Sequence, residues 1–339
     1  MKTTYTLLLL LFTSAFFGQN DSVFKGFTEI YPFGEDPNIR YMTSYTPQET
    51  ILFEANPIMR YSIYNNFIRG FMSGFPHTQA WYVAFKPHLR MYNSKSKPVK
   101  MPSYRILLGT QHLFHLPSED KETAKFCGFS LESGHYSNGQ NRSSFAEEFE
   151  DDSPEGNAVY ETITSSTQLS EILNRNSGNF STNLTELQVN YRKYKLDGDL
   201  VGIRMSSLTL GYTLYHNYFL GFGDFGGYTQ NDINIYGRNR YSLAGEFMNI
   251  IQASKLKGIR YSVKQTFEYI DNPHQSVEKL RAETTLTVYP FKGSKTLGIL
   301  ASYIFGHDNY NYRFVDHGNQ FSIGLTWCQF PPVQLIKAF

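Results

Sequence analysis

The feature that most constrains this chain is a periodicity. Apolar and polar residues alternate for ten or more positions, a polar turn intervenes, and the alternation resumes. In NQFSIGLTWCQF, Phe321, Ile323, Leu325 and Trp327 fall on one parity, and Gln320, Ser322, Gly324 and Thr326 on the other. Leu208, Leu210, Tyr212 and Leu214 repeat the pattern in GIRMSSLTLGYTLYHNYF. Successive side chains of a strand point to opposite faces, so each segment reads as a strand with one apolar and one polar face. The alternation predicts twelve strands: 38–46, 51–65, 78–93, 102–116, 122–138, 180–194, 201–218, 233–251, 256–270, 276–290, 295–308 and 317–329.

Length decides between water and lipid. Strands of soluble proteins commonly run to about five or six residues. Strands tilted across a bilayer need about 9–11, and a closed barrel leaves no edge unpaired. The N-terminus, MKTTYTLLLLLFTSAFFGQN, places Lys2 before an apolar run and small residues before Gly18-Gln19, as a secretory signal peptide over 1–19 does. After it, no apolar run reaches the roughly 18–20 residues of a spanning helix. Aromatic residues make up 16% of the chain, suited to strands and to membrane interfaces. The expectation is an all-β protein: residues 20–339 as a single transmembrane antiparallel β-barrel domain of twelve strands, in the outer membrane of a Gram-negative bacterium. A soluble secreted barrel or sandwich is the rival.

Net charge is +1, which gives nucleic acid no electrostatic handle. Cys127 and Cys328 both fall in strand-like segments and read as apolar side chains. His112 and His115 lack further residues to complete a metal site. The Gly- and Tyr-rich stretch 221–242 reads as an outer hairpin with an aromatic rim. Short connections at 116–120, 196–200 and 290–295 alternate with longer ones, notably 140–179. With both termini at the periplasmic end, 140–179 becomes a long external loop, and its acidic run EEFEDD (147–152) a solvated tip.

Just before that loop the chain reads FCGFSLESGHYSNG. If Phe129 and Leu131 face lipid, so do Ser133, His135 and Ser137, while Glu132 and Tyr136 face the interior. His135 and Ser137 then stand side by side, as a serine activated by an imidazole requires. Asn138-Gly139 ends the strand, either as a plain turn or as a turn whose backbone N–H groups line an oxyanion pocket. Polar groups on a lipid face cost desolvation energy, and a substrate arriving from the membrane gives them a use. In the next strand Asn183 shares parity with Leu187, Val189 and Tyr191, and an antiparallel return brings it beside His135. Asn176, Asn179 and the acidic run are rivals for the third position. Glu186 has the opposite parity and points inward.

HYSNG (135–139) resembles the His-x-Ser-Asn-Gly signature of the outer-membrane phospholipase A family. The resemblance implies a twelve-stranded barrel with an external Ser-His-Asn site that hydrolyses phospholipid acyl esters at sn-1 and sn-2. It assigns the nucleophile to Ser137, the base to His135 and the orienting residue to Asn183. It also implies calcium activation, with Ser143 and Ser144 the nearest hydroxyls, and homodimers. Around this core the sequence differs from the family: Thr182 and Leu184 flank the asparagine, Gln140-Asn141-Arg142 follow the glycine, and the intervening loop is longer. The lipid A deacylases also pair His-x-Ser-Asn with a Glu, on smaller barrels, and lipid A is an alternative substrate. The non-enzymatic alternative is a pore or structural barrel, in which Glu132, Glu186 and Arg192 merely fill the polar interior.

Overall fold

The computed structural model describes residues 31–328 apart from 47–48, 198–201, 219–226, 253–255, 292–295 and 312. The expected signal peptide at 1–19 lies outside the described residues. The strands are β1 (Asn38–Met42), β2 (Ile51–Asn56), β3 (Met59–Asn65), β4 (His77–Tyr92), β5 (Ser103–Leu116) and β6 (Thr123–Ser137), then a small hairpin of β7 (Arg142–Ser143) and β8 (Ala146–Glu150). They continue with β9 (Ser181–Leu196), β10 (Gly202–His216), β11 (Asn239–Ile250), β12 (Arg260–Ile270), β13 (Leu280–Tyr289), β14 (Leu297–His307) and β15 (His317–Trp327).

Every wall strand pairs antiparallel with its neighbours, and β1 closes the sheet by pairing with both β15 and β2. The expected strand 51–65 is two pieces, β2 and β3, both pairing with β4. Pro57 stands at the break, where a residue without an N–H cannot continue the ladder. Counted as one interrupted wall strand, they make a closed barrel of twelve antiparallel strands.

The outer surface follows the sequence parity. Phe321, Ile323, Leu325 and Trp327 are exposed, and Gln320, Ser322 and Thr326 are buried in the lumen. Ile39, Tyr41, Trp81, Val83, Ile106, Val189, Leu208, Leu210, Leu243, Val263 and Leu286 carry the exposed apolar surface around the other walls. An apolar belt of that extent suits hydrocarbon, not water.

The lumen is filled by polar pairs. Glu54 accepts from both Arg40 (2.7 Å) and Arg90 (2.6 Å); Arg90 also bonds Asp308 (2.6 Å), and Arg40 and Arg281 share Glu283 (3.0 and 2.7 Å). Lys86 and Tyr82 both donate to Glu132. Buried charges are tolerable only when paired in this way. A segment that the alternation did not foreshadow also enters the lumen. Phe33 exchanges backbone hydrogen bonds with the Gln111 side chain (3.1 and 3.0 Å), and Glu35 pairs with Arg105 (3.0 Å). Gly128 makes room for it, because a Cβ there would lie 1.8 Å from the Phe33 ring.

One end of the barrel is capped. The loop 140–179 holds the β7–β8 hairpin and helices Pro154–Glu161 and Leu169–Ile172. Phe145 packs on Tyr160 and Tyr236, and Tyr236 on Phe314, at ring distances of 5.7, 6.4 and 6.0 Å. Tyr236 belongs to a helix, Gln230–Tyr236, where the alternation predicts the beginning of the strand 233–251; the strand starts only at Asn239. Thr229 and Asp232 form a capping box that starts this helix, and Gly237 (φ +69°) ends it. Burial pushes the Asp232 carboxyl up to about 7.

Candidate active site

β6 reaches the capped end with its odd residues outward. Glu132 points into the lumen, and Tyr136 packs inside against Phe180 at 4.3 Å between rings. β9 returns alongside in a register that sets Asn183 directly opposite His135, and Ser181 opposite Ser137. His135 Nδ1 lies 3.1 Å from Asn183 Oδ1.

The hydrogen-bond pattern fixes the roles in that contact. Asn183 Nδ2 donates to the backbone carbonyl of Asn217 at 2.6 Å. A carbonyl only accepts, so the amide nitrogen must face Asn217 and the oxygen must face the imidazole. His135 therefore donates from Nδ1, and its Nε2 is left as the basic nitrogen. Asn183 is fully buried with both ends of its amide engaged, as buried polar groups require. Ser137 stands two residues along the same strand and face. Among the described residues no hydrogen bond joins its hydroxyl to His135.

Below this group lies a second polar row. Ser133 Oγ donates to Leu184 O (3.1 Å) and lies 2.9 Å from Thr185 Oγ1, which lies 3.0 Å from His216 Nε2. Ser133 has one proton, already given to Leu184, so it accepts from Thr185. The direction of the Thr185–His216 contact is set by the His216 tautomer, and the His216 ring also meets the Tyr218 backbone. The Ser133 proton rests on a backbone carbonyl. Two serines on one strand face thus differ: Ser133 is buried and committed, Ser137 is not.

Asn138 is a structural lock. Its side chain accepts from Gln140 N (3.1 Å) and Phe180 N (3.0 Å) and donates to Gly178 O (2.8 Å), while its own N–H goes to Phe180 O (3.0 Å). Gly139, at φ +66° with open space around it, gives its N–H to no backbone carbonyl among the described residues. Beside the site on β5, Ile106 lies opposite His135 and Tyr104 opposite Ser137, both exposed and apolar.

The rival third residues go elsewhere. Asn179 donates to Asp151 (2.8 Å), and Asn176 to Glu147 (3.2 Å), both within the cap. Burial pushes the Asp151 carboxyl up, and the Asn179 bond pulls it back. Glu186 lines the lumen. Ser144 Oγ donates to Asn179 O (2.7 Å), and Ser143 is fully buried with its Oγ accepting from Phe145 N (3.4 Å). The Asp151 carboxyl accepts from the Ser144 backbone N–H, and Arg142 precedes the pair in the chain. Among the described residues no group of three or more His, Cys, Asp or Glu could hold a metal. One carboxylate beside a hydroxyl already donating to Asn179 O falls short of the six to eight oxygens that calcium takes. His112 pairs with His77 (3.1 Å) and Thr110 (3.0 Å) on the outer wall. Cys127 and Cys328 form no disulfide among the described residues.

No protein-family model and no curated protein matches the sequence. Among solved structures, the chain is similar to the Salmonella typhi outer membrane phospholipase (OMPLA) dimer with bound calcium: 10% identity, 88% of this chain and 92% of that chain covered, TM-score 0.47. It is similar to outer membrane phospholipase A from Escherichia coli at 12% identity, 93% and 96% coverage and TM-score 0.47. The β domain of the Bordetella autotransporter Brka aligns at 8% identity, 86% and 98% coverage and TM-score 0.34.

Proposed function

We propose that the chain is an outer-membrane serine ester hydrolase acting on phospholipids, with Ser137 as nucleophile, His135 as base and Asn183 as the residue that orients the base. The observation that carries this reading is the His135–Asn183 contact on the lipid-facing wall. Its bonding pattern leaves Nε2 basic, and an uncommitted serine stands two residues away.

The mechanism follows from these residues. Ser137 approaches His135 Nε2, loses its proton to it and attacks the acyl carbonyl. Asn183 holds the imidazole in the Nδ1–H tautomer and stabilises its cationic form. Gly139 N–H is the candidate donor to the oxyanion, since the Asn138 N–H is occupied. His135 then protonates the departing lysophospholipid oxygen, and water releases the fatty acid through the same base. Acyl chains lie along the apolar wall around Ile106 and Tyr104. A serine–histidine hydrogen bond that is loose in the resting site and tightens on substrate is common.

The neighbouring barrel of Salmonella is a dimer with calcium. A homodimer is accordingly part of the proposal, checked by cross-linking in detergent. The residues do not fit calcium, and no step above uses it. Against a pore, the capped end, the segment Phe33–Glu35 in the lumen and the lumenal ion pairs all occupy the channel. The signal peptide and an outer-membrane location complete the reading.

Fatty-acid release from phospholipid–detergent micelles tests it, with Ser137→Ala, a chelator arm and lipid A as a second substrate. Release that is lost in the folded variant is expected, unchanged by the chelator. Equal, negligible release from both proteins on every lipid would move the weight to a structural barrel.

A further inference from the structure

The lumen holds a cavity of about 470 Å³. Its charges are mostly matched: Glu54, Glu283 and Asp308 are taken by Arg40, Arg90 and Arg281, and Glu35 by Arg105. Arg260 is the exception. It opens β12 at the end of the barrel opposite the cap, lines the cavity and is 4% exposed. Of the described buried arginines, it alone has Nε, Nη1 and Nη2 all without a hydrogen-bond acceptor.

Asp36 and Glu246 line the same cavity, and among the described residues neither bonds or ion-pairs with Arg260. Its guanidinium carbon lies 3.5 Å from the centroid of the Tyr289 ring, the cross-strand neighbour. A ring face holds the guanidinium plane in place but accepts none of its N–H bonds. The next inward pair, Ser262 and Thr287, is buried and lines the same cavity. The acidic residue of the adjacent strand, Glu246, stands opposite Lys264 rather than Arg260. A buried cation with five unused donors is costly unless something accepts from it. A guanidinium stacked and held on one face presents the fork that an oxyanion fits bidentately.

We propose that Arg260, backed by Tyr289 and flanked by the hydroxyls of Ser262 and Thr287, is a binding site for a small oxyanion, a phosphate or carboxylate group, inside the barrel. The site is separate from the outward wall that carries Ser137. It serves ligands entering at the uncapped end, and its occupant completes the charge pairing of the lumen.

The test uses the full-length refolded protein in detergent at constant ionic strength. Inorganic phosphate and acetate are titrated separately against chloride. Binding is read by broadening of the phosphorus signal of phosphate, of the carboxylate signal of labelled acetate, and by the unfolding temperature. The wild type should bind at least one of the two saturably, and the arms identify which. Arg260→Gln should lose the binding, and Arg260→Lys should weaken it about tenfold or more. Lys193→Gln, a change on the exposed wall, should leave it intact, and fatty-acid release should be unaffected by Arg260→Gln. Absence of saturable binding in the wild type, or equal binding in the wild type and Arg260→Lys, would overturn the proposal. The wild-type titration decides the matter even if the glutamine variant does not refold.

Discussion

The wall formed by β14 and β15 and the wall formed by β6, β9 and β10 obey the same parity rule and yet differ. On β14 and β15 the outward positions remain apolar for most of the barrel's height: Ile299, Tyr303 and Phe305 beside Phe321, Ile323, Leu325 and Trp327. On the other wall they begin that way, with Leu131, Val189, Leu208 and Leu210, and then change toward the cap. Ser133, His135 and Ser137 meet Asn183, Thr185 and His216. Polar side chains on a lipid face are costly, so their concentration in one corner calls for a cause. Nearly all of them are tied to one another or to backbone. The arrangement keeps that cost low while leaving one serine and one imidazole nitrogen free.

The difference between the walls can be broken at several points. Ser137→Ala should lower fatty-acid release by about 10³-fold or more, as loss of a catalytic nucleophile does, with unfolding unchanged. Leu325→Arg, which puts charge on the plain wall, should cost about 2–4 kcal/mol of folding stability near the bilayer midplane, measured by reversible unfolding in vesicles. Asn183→Ala frees the imidazole and should cost about 10²-fold in kcat with little change in KM. Thr185→Val interrupts only the second row and should cost less than about tenfold by the same assay.

The cap differs from the plain wall in its response to pH. The Asp232 carboxyl is raised by burial, to about 7, above its unfolded value near 4. The folded form therefore holds its proton more tightly. Cap stability is greatest below about pH 4, falls as pH rises toward 7 by at most about 1.4 kcal/mol per pH unit, and then levels off. Hydrogen exchange in Pro154–Glu161 and Gln230–Tyr236 should quicken over that window, while β14 and β15 stay protected. Asp232→Asn should flatten the profile.

The sequence made the barrel legible because lipid outside and polar pairs inside impose one period on every wall strand. It made the corner legible for the same reason: parity put His135 and Ser137 on one face, and the return of the chain put Asn183 beside them. What stayed hidden does not obey that period. Pro57 splits a strand through a missing donor, which alternation does not register. Thr229 and Asp232 start a helix inside a Tyr- and Gly-rich stretch, where the capping box was the readable signal. Phe33 and Glu35 lie within the lumen, where a segment has no lipid face and needs no alternation. Asn138 reads as a turn former, and only the structure reveals that its N–H is given to Phe180 O while, among the described residues, that of Gly139 goes to no backbone carbonyl.

The proposed reaction requires that one serine on this wall be activated and its neighbours not. The direct measurement is to treat the folded protein in micelles with a long-chain alkyl fluorophosphonate and map the adduct by peptide mass spectrometry. Modification is expected at Ser137, absent from Ser133 and Ser181, and abolished by His135→Ala. No adduct on the wild type, or equal labelling of Ser133 and Ser137, would contradict it.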